Sequence, residues 1–387
     1  MKKMIIVGAG VSGVYLAILL KRKFNELMDV IVLEQNSAPL KKLLATGNGR
    51  CNLSNRNMKI DFYQSDNQKL VNDLICDFDM VDQMNQLGIM AKYHGDLLYP
   101  RSEQALTVKN VMMDQAVSLG VIFIYNQAVT NIKFRQDDIV IKTEDSSYHC
   151  DYLTFAMGSE AGKLSGVQNY RYDMLNKLGL KVIKPIPSLV QMKTKPVLKD
   201  LKGVRIKGKF RLLDNNHCIH EESGELLFTD YGVSGISVMQ LSSYYKEGHN
   251  YQISMDFFDD MSNEDLYKYI EQRTNDDDNH IFDGMLNNKI ANLMHKKKFK
   301  DIKQIVNYLK DFRLDIVGLC SYETAQVMKG GLSLEEINDN LALKKYPHIF
   351  AVGEILNVAG MCGGYNIHFA LSCAKRVAEA IRVEEKC

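Results

Sequence analysis

Apolar and polar positions at the start of the chain predict a strand, a turn and a helix in direct succession. Residues 4–7 (MIIV) form a short apolar run, which is typical of a buried parallel strand. The run ends at the glycine-rich hexapeptide 8–13 (GAGVSG). After it, apolar residues recur at helical spacing, at Val14, Leu16, Ala17, Leu19 and Leu20. A second apolar run, residues 30–33, ends on Glu34, about 20 residues after the last glycine.

This order of elements is the fingerprint of a dinucleotide-binding βαβ unit. Gly8 permits the tight turn, Gly10 lets a diphosphate approach the backbone, and Gly13 lets the helix pack closely on the sheet. The diphosphate would then meet free N–H groups at the helix N-terminus, where we place Val11 and Ser12 among the cofactor-binding residues.

The acid at the end of the second strand restricts the choice of dinucleotide. Glu34, with Gln35 beside it, would accept hydrogen bonds from the hydroxyl groups of an adenosine ribose. A carboxylate at this position repels a 2′-phosphate, so it favours FAD or NAD over NADP. The fingerprint alone does not decide between FAD and NAD.

A second strand, glycine loop and helix follow near the end of the chain. Residues 349–352 predict a buried strand, Gly353 and Glu354 follow it, and a loop with Gly363 and Gly364 precedes an apolar helix over 367–381. A nucleotide domain that is completed by the C-terminus, with a large insertion between, is the arrangement expected for FAD. Glu354 would accept from ribityl hydroxyls, and the helix N-terminus would face the flavin pyrimidine carbonyls.

Residues 41–55 predict an ordered loop that presents backbone donors to a ligand, because they are rich in glycine and asparagine and have almost no hydrophobic period. A simple connector is the alternative. The cofactor-binding candidates in this loop are Lys42, Thr46, Gly47, Asn48, Gly49, Cys51 and Asn52.

The stretch between these two regions favours an FAD domain over a plain NAD dehydrogenase. Helices are predicted over 67–87 and 102–119, and strands over 121–125, 129–134, 139–143 and 150–157, with a turn at Asp137-Asp138. Short strands that lead to a strand-then-glycine turn are consistent with the β-meander of large FAD-binding domains. Val129 and Gly158 are therefore further cofactor-binding candidates.

Composition changes at Pro185 and Pro187, where we place a domain boundary. Residues 190–251 predict short strands and residues 262–313 charged helices. Eight basic residues and one acid lie between Lys193 and Arg211, and this basic stripe either binds a phosphate-rich partner or is a solvated strand face. The solvated face is the favoured interpretation.

Overall composition bounds the remaining possibilities. A length of 387 residues suggests two or three domains, and a net charge of +1 gives no global attraction to nucleic acid or acidic membranes. Eight scattered cysteines without a CxxC pair favour reduced thiols in a cytoplasm over disulfides or a metal site. We therefore expect a cytoplasmic protein with no metal, no membrane partner and no obligate protein partner.

Three long motifs resemble one known family, the BaiN/YhiN-type bacterial flavoproteins, described as NAD(P)/FAD-dependent oxidoreductases or aminoacetone-oxidase-family FAD-binding enzymes. The motifs are ATGNGRCNLSN (45–55), ELLFTDYGVSG (225–235) and AVGEILNVAGMCGGYN (351–366). Two positions depart from the family pattern. Asn48 replaces a glycine, so a residue that tolerates an unusual φ is needed there, and the later ATG motif is degraded at 156–159 (AMGS).

The resemblance implies an α/β fold class with three parts. They are a Rossmann-type FAD-binding domain with a three-layer arrangement, a parallel sheet and a β-meander (1–186 and 344–387), an inserted β-barrel-like domain (187–260 and 326–343) and a small helical domain (261–325). It also implies that the 45–55 loop and the Gly363–Asn366 loop line the flavin, which adds Tyr365 and Asn366 to the cofactor-binding residues.

The predicted chemistry is flavin chemistry, and the spacing of residues in the sequence names no acid–base pair. Arg50, Cys51 and Tyr365 are the catalytic candidates: Arg50 could stabilise negative charge on the reduced flavin, and Cys51 could be a redox or proton-donating thiol if its pKa is lowered. His368 is favoured as a helix-face residue over a catalyst.

We expect a FAD-dependent oxidoreductase that transfers hydride between transiently bound NAD(P)H, flavin N5 and an unsaturated or oxidisable small molecule. The alternatives are an enzyme that reduces uridine to dihydrouridine in rRNA, and a non-catalytic FAD-binding redox or RNA-associated protein.

Overall fold

A computed structural model of the chain describes residues 1–135, 138–162, 170–276 and 280–383. The chain divides into two compact units. The first unit consists of residues 1–186 and 327–387, and the second consists of residues 187–326.

The first part of the chain supplies twelve strands and six helices within the described ranges. The strands are β1 (Lys2–Val7), β2 (Met28–Leu33), β3 (Ser54–Asn55), β4 (Tyr63–Ser65), β5 (Ala91–His94), β6 (Leu97–Pro100), β7 (Ile122–Ile124), β8 (Asn131–Arg135), β9 (Asp138–Lys142), β10 (Ser147–Cys150), β11 (Tyr152–Phe155) and β12 (Val182–Ser188). The helices are α1 (Val11–Phe24), α2 (Lys41–Ala45), α3 (Gln68–Cys76), α4 (Met80–Gln86), α5 (Ala105–Ser118) and α6 (Tyr170–Lys177).

The elements that follow belong first to the second unit and then again to the first. The second unit contains β13 (Met192–Lys195), β14 (Arg205–Asp214), β15 (His217–Phe228), β16 (Gly232–Ser234), α7 (Ile236–Ser242), β17 (Tyr251–Asp256), α8 (Asn263–Asp276), α9 (Asn288–His295), α10 (Ile302–Lys310) and β18 (Phe312–Leu319). The chain then returns through β19 (Val327–Leu332), β20 (Ile349–Ala351), β21 (Val358–Gly360) and α11 (Tyr365–Ala380).

A parallel five-stranded sheet is the centre of the first unit, in the order β20-β11-β1-β2-β7. Residues 4–7 of β1 are almost fully buried, as the apolar run predicted. Strands β8, β9 and β10 form a separate antiparallel meander in chain order. The predicted turn at Asp137-Asp138 joins β8 to β9, but Asp137 lies outside the described residues.

A closed barrel is the centre of the second unit, in the order β13-β16-β15-β14-β17-β18. Alternate residues of β14, such as Phe210 and Leu212, point into its core. Apolar residues of α8, α9 and α10 belong to the same continuous core, among them Leu266, Met294 and Leu309. The predicted fold class, a Rossmann-type domain with an inserted barrel and helices, is confirmed.

The structure differs from the predicted element and domain bounds in several places, and the first five residues of the loop predicted over 41–55 form the helix α2. The helix predicted over 67–87 is two helices, because Asp79 interrupts it and caps α4 by accepting from Asp82 N. Residues 327–343 lie in the first unit, since β19 pairs with β12. The 261–325 segment shares its core with the barrel and supplies β18 to it.

No helix within the described ranges is long and apolar enough to cross a membrane.

Candidate dinucleotide site

The turn after β1 is built from backbone packed against backbone. Gly8 has φ of +110°, and a Cβ added there would lie 2.4 Å from the carbonyl oxygen of Ala156, which follows β11. A Cβ at Gly13 would lie 2.1 Å from the carbonyl oxygen of Gly8. Both positions therefore require glycine, one for its turn and one for the close approach of α1.

Gly10 is different, because a Cβ at this position would meet no atom nearer than 3.9 Å. Its φ of −76° is accessible to any residue, so neither the backbone nor the packing demands glycine there. Gly10 is also the N-cap of α1 and makes no side-chain capping bond. Open space in front of uncapped N–H groups is what an approaching diphosphate needs, and the geometry fits this group.

Glu34 is held against the same turn. The side chain is buried, and its Oε2 accepts from Ala9 N at 2.7 Å. Its Oε1 accepts from both the backbone N and Nδ2 of Asn36, at 2.8 and 2.6 Å. The carboxylate is thereby fixed at the end of β2 and keeps lone pairs for a ribose. Gln35 beside it is exposed.

Val129 is buried in the same unit, two residues after Gln127, whose backbone N donates to the carbonyl oxygen of Glu34 at 2.9 Å. The structure thus brings the segment before the meander to the end of β2, although the sequence places the two about ninety residues apart.

The 45–55 loop follows α2 as a tight left-handed turn. Gly47, Asn48 and Gly49 have φ of +57°, +55° and +83°. Asn48 therefore occupies the unusual conformation that its replacement of glycine requires, and asparagine tolerates it better than most residues. Thr46 Oγ1 donates to the carbonyl oxygen of Leu43 at 2.7 Å, which anchors the start of the turn.

The C-terminal strand-and-loop segment meets the first turn directly. A Cβ at Gly353 would lie 2.9 Å from Ser12 Oγ. Glu354 Oε2 forms an ion pair with Lys42 Nζ at 2.5 Å, and it lies 4.0 Å from the Cβ position of Gly158. The fingerprint, α2, the degraded ATG motif and the C-terminal segment therefore converge in the first unit.

The second loop of the C-terminal segment is locked to the 45–55 loop. Gly364 has φ of +93°, and a Cβ there would lie 2.6 Å from the carbonyl oxygen of Ser54. Asn55 Nδ2 donates to the carbonyl oxygen of Gly363 at 3.1 Å. Glycine at these positions allows the two predicted flavin-lining loops to touch through their backbones.

His368 adds a buried hydrogen-bonded link to this junction. Its Nε2 faces the carbonyl oxygen of Ile75 at 3.1 Å, so Nε2 carries the proton. Its Nδ1 then accepts from Ser54 Oγ at 2.8 Å. Burial lowers the pKa of His368 to about 4, although the Ile75 carbonyl acts in the opposite direction. This histidine is a neutral structural residue at neutral pH.

Cys51 does not meet the condition set for a reactive thiol. The residue is fully buried, and burial raises its pKa to about 12, with only a partial offset from a hydrogen bond to Thr46. Its φ of +61° continues the left-handed path of the loop. Since a reactive thiol requires a lowered pKa, Cys51 is a packed residue of the loop.

Tyr365 and Asn366 hold their own loop together. Tyr365 is buried against the rings of Phe62 and Tyr63, and burial raises its pKa to about 12. Asn366 bridges the backbone of Gly360, accepting from its N at 2.9 Å and donating to its carbonyl oxygen at 2.8 Å. Both side chains thus have protein partners in addition to any contact with a ligand.

Arg50 is exposed at the edge of the loop. Its guanidinium lies over the ring of Tyr99 at 4.8 Å and 3.9 Å from Glu103, which also accepts from His94 at 2.8 Å. Arg50 retains a free face towards solvent, whereas Asn52 of the same loop is buried.

Sequence analysis missed several polar residues of the site. Asn36 belongs to no sequence motif. Its two hydrogen bonds to the Glu34 carboxylate become visible only in the folded end of β2. Arg171 and Tyr172 are buried in the first unit and belong to no motif. No group of residues able to hold a metal ion occurs in the part of the chain that the structure describes.

Comparisons with known proteins agree with this geometry. A family model described as the HI0933-like protein Rossmann domain matches residues 2–380, which is nearly the whole chain. The match confirms the resemblance to BaiN/YhiN-type flavoproteins and places the chain among FAD-binding oxidoreductases.

Two characterised relatives cover almost the full length of the chain. One is the 3-dehydro-bile acid delta(4,6)-reductase of Clostridium scindens, 28% identical over 96% of this chain and 96% of the relative. Another is the ribosomal RNA dihydrouridine synthase of Escherichia coli, 25% identical over 97% of this chain and 96% of the relative.

Among solved structures, the 3-ketosteroid-delta4-(5alpha)-dehydrogenase of Rhodococcus jostii, in complex with 4-androstene-3,17-dione, matches with a TM-score of 0.51 and 13% identity. The alignment covers 98% of this chain and 97% of that protein, so the two share a fold over their full lengths.

The pKa of His368 predicts how stability depends on pH. Because the folded state holds this residue with a pKa of about 4 and the unfolded state near 6.5, the unfolded state binds more protons between these values. Stability is therefore lost as the pH falls below about 6.5, by about 2 kcal/mol between pH 7 and pH 5 from this residue. Urea titrations of the wild type and of His368→Gln at both pH values measure the contribution.

The Gln variant loses the titrating group, so the difference in its free energy of unfolding between the two pH values should be smaller by that amount. His348→Gln is the matched control, because His348 is exposed. Equal pH dependence in wild type and His368→Gln would contradict the neutral, buried assignment.

Proposed function

The chain belongs to the HI0933-like Rossmann family of flavoproteins, and from that premise we propose that it is a FAD-dependent oxidoreductase that reduces an unsaturated small molecule with hydride from NAD(P)H. The observation that carries the proposal is the convergence at Glu354. The ion pair with Lys42 and the approach of Gly353 to Ser12 bring the C-terminal segment onto the first fingerprint.

FAD suits this convergence better than NAD because it is the larger ligand and needs both halves of a split site. Gly10 and the N-terminus of α1 would bind the diphosphate, and Glu34 would bind the adenosine ribose. Glu354 offers a buried Oε1, which has no hydrogen-bond partner among the described residues, to a ribityl hydroxyl.

The flavin, when bound, supplies hydride chemistry at N5, and the protein supplies its position and its electrostatic surroundings. The joined 45–55 and 363–366 loops would hold the ring system, since His368 and Asn55 fix one loop to the other. Arg50 would stabilise negative charge on the reduced ring from the edge of the loop.

A nicotinamide nucleotide would bind transiently, because the sequence has a single dinucleotide-binding glycine fingerprint, at 8–13. Support for a small unsaturated substrate comes from the relative that is named a bile acid reductase and aligns over 96% of this chain. Steroids of the bile acid type, and other small molecules with an activated double bond, are the substrate class that we propose to test first.

Ribosomal RNA is the second candidate substrate, because another relative of nearly full length is named an rRNA dihydrouridine synthase. The barrel weakens this candidate in one respect. Four of the eight cations of the basic stripe form ion pairs with acids: Lys202 with Asp230, Arg205 with Glu225, and Lys209 and Arg211 with Glu221. The remaining four, Lys193, Lys195, Lys199 and Lys207, are exposed and form no ion pair with any described residue.

Gly10→Ala and Gly13→Ala should separate cofactor binding from folding. Alanine at Gly10 finds open space, so the free energy of unfolding of the apoprotein should change by less than about 0.5 kcal/mol, while the Kd for FAD rises about tenfold or more. Alanine at Gly13 overlaps the backbone of Gly8 and should destabilise the apoprotein itself by about 2 kcal/mol or more.

Flavin fluorescence titration of the apoprotein measures the Kd, and urea denaturation measures the stability. If Gly10→Ala binds FAD as tightly as the wild type while remaining folded, the diphosphate does not bind at this turn.

Reduction by a nicotinamide distinguishes the enzyme from a non-catalytic flavoprotein. Under anaerobic conditions the flavin absorbance of the purified protein should bleach with NADH or NADPH and recover when an enone steroid is added. A flavin that neither nucleotide reduces, and that does not reoxidise with oxygen after photoreduction, would identify a binding protein without turnover.

If ribosomal RNA is the substrate, the four lysines that form no ion pair with described residues should contribute more to RNA binding than the four paired cations. Replacing Lys193, Lys195, Lys199 and Lys207 with Gln should weaken retention of ribosomal RNA and lower the slope of log affinity against log salt by about 3. The matched control replaces Lys202, Arg205, Lys209 and Arg211 with Gln, which removes the same charge from paired positions. Equal retention in the wild type and the first variant would exclude RNA binding by this stripe.

A further inference from the structure

Arg171 is a buried cation with a guanidinium nitrogen that has no partner among the described residues. It lies at the start of α6 and is 5% exposed. Its Nη1 is shielded from solvent and has no hydrogen-bond partner, and the side chain forms no ion pair with any residue that the structure describes. A buried donor on a charged group destabilises the fold when it has no acceptor, so the position of Nη1 indicates a missing partner.

Two neighbouring groups in the first unit are unpaired in the same way. The hydroxyl of Tyr172 and Oε1 of Glu354 are buried and have no partner among the described residues. The charges of Arg171, Glu354 and Glu160 all act on Tyr172: burial raises the pKa of its phenol, Arg171 lowers it, and the two carboxylates raise it. Arg171, Glu160 and Glu354 therefore all lie within electrostatic reach of Tyr172.

This polar cluster (Glu160, Arg171, Tyr172 and Glu354) touches the convergence of the candidate cofactor site. Glu354 is the residue paired with Lys42, and the paired oxygen, Oε2, also lies 4.0 Å from the Cβ position of Gly158. The positive charge of Lys42 is thus matched by Glu354 directly, whereas Arg171 forms an ion pair with no acid in the described ranges.

A guanidinium determines the chemistry of the missing partner. It is always charged, has only donors, and presents them in a planar fork that matches the oxygens of a phosphate or carboxylate. The phenol of Tyr172 has a raised pKa and remains protonated, so it is a second donor. Two unpaired donors, one of them cationic, suit an oxyanion.

We propose that Arg171, with Tyr172, binds an oxyanion in the first unit. This inference rests on the proposed function, since the oxyanion is either the diphosphate of FAD or an acidic group of a substrate bound beside the flavin. The shared chemistry is a negatively charged oxygen that accepts from Nη1. Neither residue belongs to a sequence motif that predicted a ligand contact.

The test compares Arg171→Gln and Arg171→Met with Lys177→Gln, an exposed cation on the same helix. Thermal melting of each apoprotein checks folding. If the buried amide of Arg171→Gln prevents folding, Arg171→Met provides the same test with an apolar side chain. Apoproteins are titrated with FAD and with riboflavin, which lacks phosphate. Holoproteins are titrated with inorganic phosphate and with acetate while the flavin absorbance spectrum is recorded.

If the diphosphate is the partner, the Arg171 variants bind FAD at least tenfold more weakly, whereas their riboflavin affinity is unchanged. If a substrate anion is the partner, FAD affinity is unchanged, but the wild type shows a saturable spectral shift with one of the anions that the Arg171 variants lose. Lys177→Gln should match the wild type in both titrations.

Folded Arg171 variants with wild-type FAD affinity, together with the same response to both anions as the wild type, would overturn the inference while leaving the proposed function intact. A wild-type apoprotein that fails to bind FAD would overturn the proposed function itself, so the two failures are distinguishable.

Discussion

The first unit depends on backbone atoms that approach one another more closely than a side chain would permit. The contact of Gly13 with Gly8 joins α1 to the turn after β1, and the contact of Gly8 with Ala156 joins that turn to β11. Gly353 extends the same packing to the C-terminal segment through Ser12. Because these segments are packed in direct contact, the ends of β1, β11 and β20 are held at one place. Glu34, Lys42 and Glu354 take their positions from that junction.

A second constraint holds the two glycine loops in register, and it works through groups that stay neutral. His368 can bridge Ser54 and Ile75 only while one ring nitrogen is unprotonated, since the Ser54 hydroxyl then has an acceptor. The left-handed residues of the 45–55 loop raise its conformational cost, and the bonds from Thr46, Asn55 and His368 offset it. The loop is thus held by the protein itself.

The sequence predicted those parts of the fold that local patterns determine. The apolar runs of β1 and β20 are each followed by a glycine turn and a helix, and the run of β2 ends on an acid, so both halves of the parallel sheet could be predicted. The conformation of Asn48 could be predicted because a family glycine is missing there. Contacts between distant segments left no local pattern: Ile75 on His368, and β19 on β12, which places residues 327–343 in the first unit.

Arg171 marks a different limit of such prediction. A lone arginine in a charged helix start is ordinary in a sequence, and only its burial and its unpaired nitrogen make it notable. The same holds for the basic stripe, whose eight cations look equivalent in the sequence, although in the fold β15 supplies acids to three of them and Asp230 to a fourth. In both cases charge was visible in the sequence, whereas pairing was a property of the fold.

The electrostatics of the site bear on how a substrate would receive its proton. A general acid works best with a pKa near the operating pH, and both Cys51 and Tyr365 have a pKa of about 12 because they are buried. Arg50 cannot act as a general acid, because its guanidinium does not lose a proton in proteins. The three residues that were named as catalytic candidates because of their expected place beside the flavin therefore position the loop and its charge, and none of them has a pKa suited to proton transfer. If the proposed hydride transfer occurs, its proton comes from another group, and the first unit is specialised for holding the cofactor.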